Sequence, residues 1–280
     1  IGVITNVGPV HLEYLKTLEE VALAKGELLE ALGSGCHAVI NADDPRVAAL
    51  AGRCPAQIMT FGIASPAQVR AVDVLSSAAG ENRFTLVIGK ESIPVSLRVP
   101  GMHSVYNALA AAAAASLCGA GMQEIQAGLE AYISFPGRME IIRLDNNITI
   151  INDTYNANPV SMAIALKVLA QLRGTGRGIA VLGDMLELGE ASETYHRQLG
   201  SLITDLQISD AILTGAHAHA VHDAEMGVGV DGLRLCGGPE QSGYLRMLLL
   251  IGCLCEGQVR PVCLRLSRER FLQIRFGFRH

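Results

Sequence analysis

Asp153, Tyr155, Asn156 and Asn158 put a carboxylate, a phenol and two amides into one six-residue stretch. The apolar run Ile148-Thr149-Ile150-Ile151 before them reads as a strand, and Val160 to about Leu172 reads as an amphipathic helix. The polar groups are therefore expected at the carboxyl end of a strand and beside a helix N-terminus, where open α/β sheets bind nucleotides and anionic substrates. Asn158 fits an N-cap and Pro159 a first helical residue, so those two positions are also good capping chemistry. Capping leaves Asp153, Tyr155 and Asn156 without a reason to crowd there. Any one of them would suit an ordinary strand–turn–helix corner; the set points to a site. Two further candidates stand near the start. His11 follows the buried-strand pattern Ile1 to Val7, and Lys25 lies fourteen residues later on a helix. Spacing alone leaves the histidine structural and the lysine on a solvated face.

The elements that would carry these residues alternate. A capping box at Thr17 and Glu20 starts a helix near Leu18 that stops at Gly33, and strands follow at Ala38–Asn41 and Gln57–Phe61. From Val69 to Val99 apolar residues alternate with polar ones, with turn signals at 79–82 and 89–90, which predicts an antiparallel insertion. An alanine-rich helix from about Ser104 to Leu117 and a second from Met122 to Ala131 lead to Pro136-Gly137, the expected domain boundary (1–136 and 137–280). Beyond it, strands at Met139–Leu144, Ile148–Ile151, Gly178–Leu182, Ala211–Leu213 and Leu233–Leu235 are expected to alternate with helices at 159–172, Ala191–Leu206, Ala216–Ala224 and Pro239–Leu250. The fold class is α/β, with a small Rossmann-like unit at the C-terminal side.

Half of the 280 residues are hydrophobic and the net charge is −5, a composition that suits well-filled sheets and argues against a general nucleic-acid binder. Seven cysteines without a Cys-x-x-Cys point away from a disulfide framework or zinc site and towards a reducing cytoplasm. The apolar run Met247–Cys255 is too short to span a bilayer.

Five segments in fixed order then carry a resemblance: 6–12 (Asn-Val-Gly-Pro-Val-His-Leu), 22–27 (Ala-Leu-Ala-Lys-Gly-Glu), 41–44 (Asn-Ala-Asp-Asp), 101–110 (from Gly-Met-His-Ser through Tyr106-Asn107) and 136–139 (Pro-Gly-Arg-Met). With Asp153–Pro159 and the segment 183–189 (Gly-Asp-Met-Leu-Glu-Leu-Gly), the chain resembles the Mur ligase family over roughly residues 1–245. The last two segments are most similar to the branch whose substrates are UDP-N-acetylmuramoyl-tripeptide and D-alanyl-D-alanine. Other branches usually carry an Asp-(Gly/Tyr)-Ala-His-(Asn/Thr)-Pro run where Asp153–Pro159 stands here, and Asn156-Ala157-Asn158-Pro159 argues against them. The resemblance implies a central ATP-binding domain followed by the Rossmann-like one, and amide-bond formation at the expense of ATP through an acyl phosphate, with Mg²⁺ as the second cofactor. A bacterial, cytoplasmic monomer without membrane insertion is implied.

Residue by residue, the resemblance makes His11 a Mg²⁺ ligand and Lys25 the lysine that becomes carbamylated, which turns an ammonium into an oxygen-bearing anion that suits Mg²⁺. Such a lysine must be partly buried with a lowered pKa. Asn107 matches an adenine-edge residue, Arg138 an ATP-phosphate arginine and Asp153 a ribose-facing carboxylate. Tyr155, Asn156 and Asn158 are candidates for nucleotide or incoming-dipeptide contacts. Asp184 and Glu187 fit a solvated acidic rim almost as well as a role in the cleft.

The sequence departs from the family pattern in two places. It opens on Ile1 inside a strand pattern and contains no Gly-Lys-Thr or Gly-Lys-Ser, so the phosphate-binding loop and UDP-binding domain are expected to be missing and ATP turnover by this polypeptide alone is not expected. After about Leu250 an arginine-rich tail (Arg260, Arg265, Arg268, Arg270, Arg275, Arg279) replaces the usual ending.

Overall fold

The computed structural model describes residues 1–144, 148–225, 245–251, 263–265 and 271–273. The first lobe begins with β1 (Gly2–Ile4), α1 (Leu12–Leu15), α2 (Leu18–Glu30), β2 (His37–Asn41), α3 (Pro45–Ala49) and β3 (Gln57–Gly62). It continues through β4 (Val69–Ser76), β5 (Asn82–Ile88), β6 (Glu91–Leu97), α4 (Met102–Leu117) and α5 (Met122–Ala131). These six strands form one sheet in sequence order, parallel from β1 to β4 and antiparallel from β4 to β6. The expected insertion is thus present. Gly80 and Gly89, at φ 89° and 60°, make its two turns in a conformation that side chains with a Cβ rarely adopt.

The second lobe holds β7 (Glu140–Leu144), β8 (Ile148–Asp153), α6 (Pro159–Arg173), β9 (Arg177–Leu182), α7 (Ser192–Asp205), β10 (Asp210–Leu213), α8 (Ala218–Glu225) and β11 (Leu245–Ile251). Its sheet runs β10-β9-β11-β8-β7, parallel except for the edge strand β7. The expectation of a helix over Pro239–Leu250 is corrected here. Leu245–Ile251 is the central strand, paired with β8 on one side and β9 on the other. A central parallel strand needs no polar alternation, so the apolar run Met247–Ile251 is indistinguishable from a buried helix by periodicity. The expected strand Leu233–Leu235 lies outside the described residues. In the arginine-rich tail, β12 (Cys263–Arg265) and β13 (Phe271–Gln273) pair antiparallel, and its remaining residues lie outside the described set.

The two lobes share a core. Leu12, Val21 and Val99 of the first pack in one cluster with Ile151, Met162, Leu166, Leu169 and Leu182 of the second. On α6 the residues Met162, Ala165, Leu166 and Leu169 recur at helical spacing and are fully buried. Replacing Leu166, 0% exposed, with alanine should cost about 2–5 kcal/mol of stability in a urea melt, because the cavity sits where both lobes meet.

Candidate active site

Lys25 projects from α2, whose start is fixed by Thr17 Oγ1 accepting from Glu20 N–H at 3.1 Å. Its Nζ donates to the carbonyl of Asn6 at 2.8 Å. The loop carrying Asn6 is held in place from below. Val7 N–H donates to Asp44 Oδ2 at 2.7 Å, and Asn41 Nδ2 donates to the Thr5 carbonyl at 2.9 Å. Asp44 also caps α3 through Oδ1, which accepts from Arg46 and Val47. Burial pulls the Lys25 pKa below the ordinary lysine range, and the nearby Asp44 carboxylate opposes it.

At the end of the same loop His11 adopts the left-handed region, φ 55° and ψ 29°, just before α1. Its imidazole is exposed, and Nδ1 contacts the Glu187 carboxylate of the second lobe. The backbone joins at the same place: Glu13 N–H donates to the Glu187 carbonyl at 2.9 Å. A Cβ on Gly189 would lie 3.2 Å from Glu13 Cα, so the segment 183–189 lies directly against α1.

The other wall comes from the β8–α6 corner. Asp153 Oδ1 accepts from Met139 N–H at 2.9 Å. Burial raises its carboxyl pKa, against the Met139 amide and the Arg138 guanidinium, which both lower it. Arg138 lies over the Tyr155 ring with Cζ 3.8 Å from the centroid, and Tyr155 N–H donates to the Gly137 carbonyl at 3.0 Å. Gly137 holds φ 77°, so the bend that delivers Arg138 to the corner depends on glycine. Asn158 caps α6 as expected: Oδ1 accepts from Ser161 N–H at 2.9 Å, while its own N–H donates to Ser161 Oγ at 3.1 Å. Asn156 Oδ1 accepts from Ala157 N–H at 2.9 Å. Both amide oxygens are thus engaged locally.

Asn107 is exposed on α4. The preceding residue anchors that helix: Tyr106 O–H donates to Asp43 Oδ2 at 2.9 Å. Asp43 also accepts from the N–H groups of Ile63, Ala64 and Ser65. Burial works to raise the Asp43 carboxyl, but those three amides outweigh it and hold it well below the usual carboxylate range. The phenol of Tyr106 is pushed up to about 12, first by burial and then by its bond to Asp43.

The two acidic residues of the 183–189 segment separate. Asp184 is structural, its oxygens accepting from Ala216 N–H (2.7 Å) and His217 N–H (3.1 Å). Glu187 faces the cleft. Only the meeting of segments 176 residues apart reveals this, so no local pattern marks it.

Two family models match the chain: the Mur ligase middle domain over residues 1–115 and the Mur ligase, glutamate ligase domain over residues 137–238. The UDP-N-acetylmuramoyl-tripeptide–D-alanyl-D-alanine ligase of Mycobacterium bovis is 38% identical over 229 residues, covering 79% of this chain and 45% of its own length. The chain belongs to the Mur ligase family. It spans about half the length of such curated relatives. The UDP-N-acetylmuramoyl-L-alanyl-D-glutamate–2,6-diaminopimelate ligase of Halalkalibacterium halodurans is 39% identical over a shorter span, 61% of this chain and 36% of that protein. A crystal structure of MurF from Acinetobacter baumannii superposes with a TM-score of 0.77 at 27% identity, covering 90% of this chain and 56% of that one.

Whether this Mur ligase chain suits Mg²⁺ turns on Lys25. Among the described residues no cluster of three or more His, Cys, Asp or Glu is arranged around one ion position. A bare ammonium at Lys25 would repel a cation. Its lowered pKa, however, leaves more neutral amine to take up CO₂ than an exposed lysine has, and a carbamate there would offer the oxygen ligands that the ion prefers.

Proposed function

We propose that this chain supplies the catalytic cleft of an ATP-dependent ligase that joins D-alanyl-D-alanine to UDP-N-acetylmuramoyl-tripeptide in bacterial peptidoglycan synthesis, in the cytoplasm. The observation that carries the reading is the approach of the loop between β1 and His11 to the start of α6, where a Cβ on Gly8 would lie 3.2 Å from Val160 Cγ2. His11 and Lys25 flank one loop of the first lobe, and Glu187 of the second lobe meets His11. Asp153, Arg138 and Tyr155 form one packed corner at the carboxyl end of β8. We place the division between the lobes at Pro136-Gly137.

Mg²⁺–ATP, when bound, supplies the phosphoryl group and neutralises charge on it. The chain's own residues position. Arg138 is already oriented by its stack on Tyr155, so little side-chain freedom is lost when a phosphate accepts from its guanidinium. Asp153, held by Met139 N–H, keeps one oxygen for ribose hydroxyls. His11 and carbamylated Lys25 would hold the ion, and Asn107 would offer donor and acceptor to the adenine edge. Tyr155, Asn156 and Asn158 would contact the nucleotide or the incoming dipeptide.

Two other readings are weighed by the same experiment. The similarity to a diaminopimelate-adding ligase favours a different amine substrate. The lack of Gly-Lys-Thr and Gly-Lys-Ser in the 280 residues favours a chain that, alone, binds without turning ATP over. The test grafts residues 1–238, the span of the two family matches, in place of the corresponding segment of the Mycobacterium bovis relative and offers D-alanyl-D-alanine, diaminopimelate and glutamate together. Mass spectrometry should find the dipeptide adduct alone, while the ungrafted chain releases no phosphate. A single-residue adduct would transfer the assignment to another branch.

A further inference from the structure

His196, on α7, is a histidine that the chemistry above does not use, and it is 1% exposed. Its two ring nitrogens are engaged in different ways. Nδ1 lies 2.7 Å from the Ser192 carbonyl, which can only accept, so Nδ1 carries the proton. Nε2 lies 3.1 Å from Met185 N–H, which can only donate, so Nε2 presents its lone pair. The ring is thereby fixed as the neutral Nδ1–H tautomer, bridging the start of its own helix to the segment 183–189. Two residues beyond Met185, Glu187 meets His11, and its carbonyl takes the N–H of Glu13 in the other lobe.

We propose that His196 is a positioning residue of this ligase cleft: its Nε2 lone pair holds Met185 N–H, which sets the 183–189 segment so that Glu187 docks on His11 and α1. This deepens the ligase reading and rests on it for the meaning of the cleft. The assignment of Nε2 as acceptor also makes the support switchable. A proton on Nε2 would set N–H against N–H at Met185 and remove the bond. The alternative acceptor is Asp184 Oδ1, 3.8 Å from Nε2, so the protonated ring would be drawn from Met185 towards Asp184.

The charged and titratable groups around the ring are few. Asp184 faces it from the segment itself, and His217 stacks on it at 4.6 Å between centroids and 26° between planes. Asp184 attracts its charge, while His217, and His219 of α8, repel it. Glu193, on the same helix, is paired with Arg197. Burial dominates and holds the His196 pKa below the usual histidine value, with the Ser192 carbonyl opposing. Folding therefore disfavours the proton. The stabilisation is complete above the ordinary histidine range near about 6.5 and is lost as pH falls towards the lower folded value.

The test is amide hydrogen exchange on the 280-residue chain, read as protection factors at Met185 and at Glu13 from about pH 7.5 down to about pH 4.5, the range that brackets a lowered histidine pKa. Wild type should lose roughly tenfold protection at both amides across that range, the size expected for one buried hydrogen bond. His196→Gln, which keeps an acceptor and cannot titrate, should stay protected throughout. His196→Phe, which keeps a ring and loses the acceptor, should be low at Met185 and Glu13 at every pH. Wild-type protection at Glu13 in His196→Phe would overturn the proposal, because His196 would then be a local support only. A pH-dependent drop persisting in His196→Gln would also overturn it, by assigning the titration to another group. If His196→Phe does not fold, the comparison of wild type with His196→Gln decides. None of these readouts needs turnover, so their failure is separate from failure of the ligase assignment.

Discussion

Alanine in place of Lys25 should lower amide-product formation by the grafted ligase roughly a thousandfold, the scale on which removing one charge-stabilising group acts in phosphoryl transfer. The loss follows from two properties of the site. The Lys25 amine is buried enough to have a lowered pKa, which favours reaction with CO₂, and it is held against the Asn6 carbonyl in the loop that ends at His11. Carbamylation would replace a cation with two oxygen ligands, and a methyl group can provide neither charge nor ligand. The measurement is a rate of tripeptide conversion by mass spectrometry, with and without added bicarbonate. Wild type should respond to removal of dissolved CO₂ and Lys25→Ala should not. Full activity in Lys25→Ala would remove the lysine from the mechanism.

The second large effect is structural. Asp43→Ala should cost about 2–4 kcal/mol, because one carboxylate serves three backbone amides and the Tyr106 hydroxyl, and all four donors lose their acceptor together. Asp43→Asn, which keeps one carbonyl oxygen, should lie between. The wild-type contribution has a defined pH dependence. Because the folded carboxyl is held below the usual range, its stabilisation is complete above the ordinary aspartate value near about 3.9 and is lost as pH falls towards the folded value. Denaturant melts should therefore show an acid-side loss of stability in wild type that is smaller in Asp43→Ala. The same clamp holds α4 through Tyr106, so if Asn107 meets the adenine edge as proposed, nucleotide binding should weaken alongside stability.

What was legible in the sequence was local. The Asn158 cap, the helix starting after Thr17 and the glycine turns of the insertion depend on neighbours within a few residues, and each stands where spacing placed it. The strand Leu245–Ile251 was not legible, because a central parallel strand and a buried helix share the same kind of apolar run, here Met247–Ile251. The polar clamps were not legible either. Asp43 is exhausted by amides twenty residues away, and Glu187 differs from Asp184 only through contact with His11. His196 had no local signature at all; its meaning comes from Met185 arriving at its ring. In the cleft, residue types were readable from motifs, whereas which acidic side chain faces inward depended on how the lobes meet.

A crystal of the grafted ligase with a non-hydrolysable ATP analogue and Mn²⁺ in place of Mg²⁺ tests the central claim most directly. The account predicts an anomalous manganese peak in contact with His11 and a carbamylated Lys25, with the phosphates reaching Arg138 and the ribose hydroxyls at Asp153. A nucleotide seated away from the β8–α6 corner, or a metal peak without Lys25 density extended by CO₂, would contradict it.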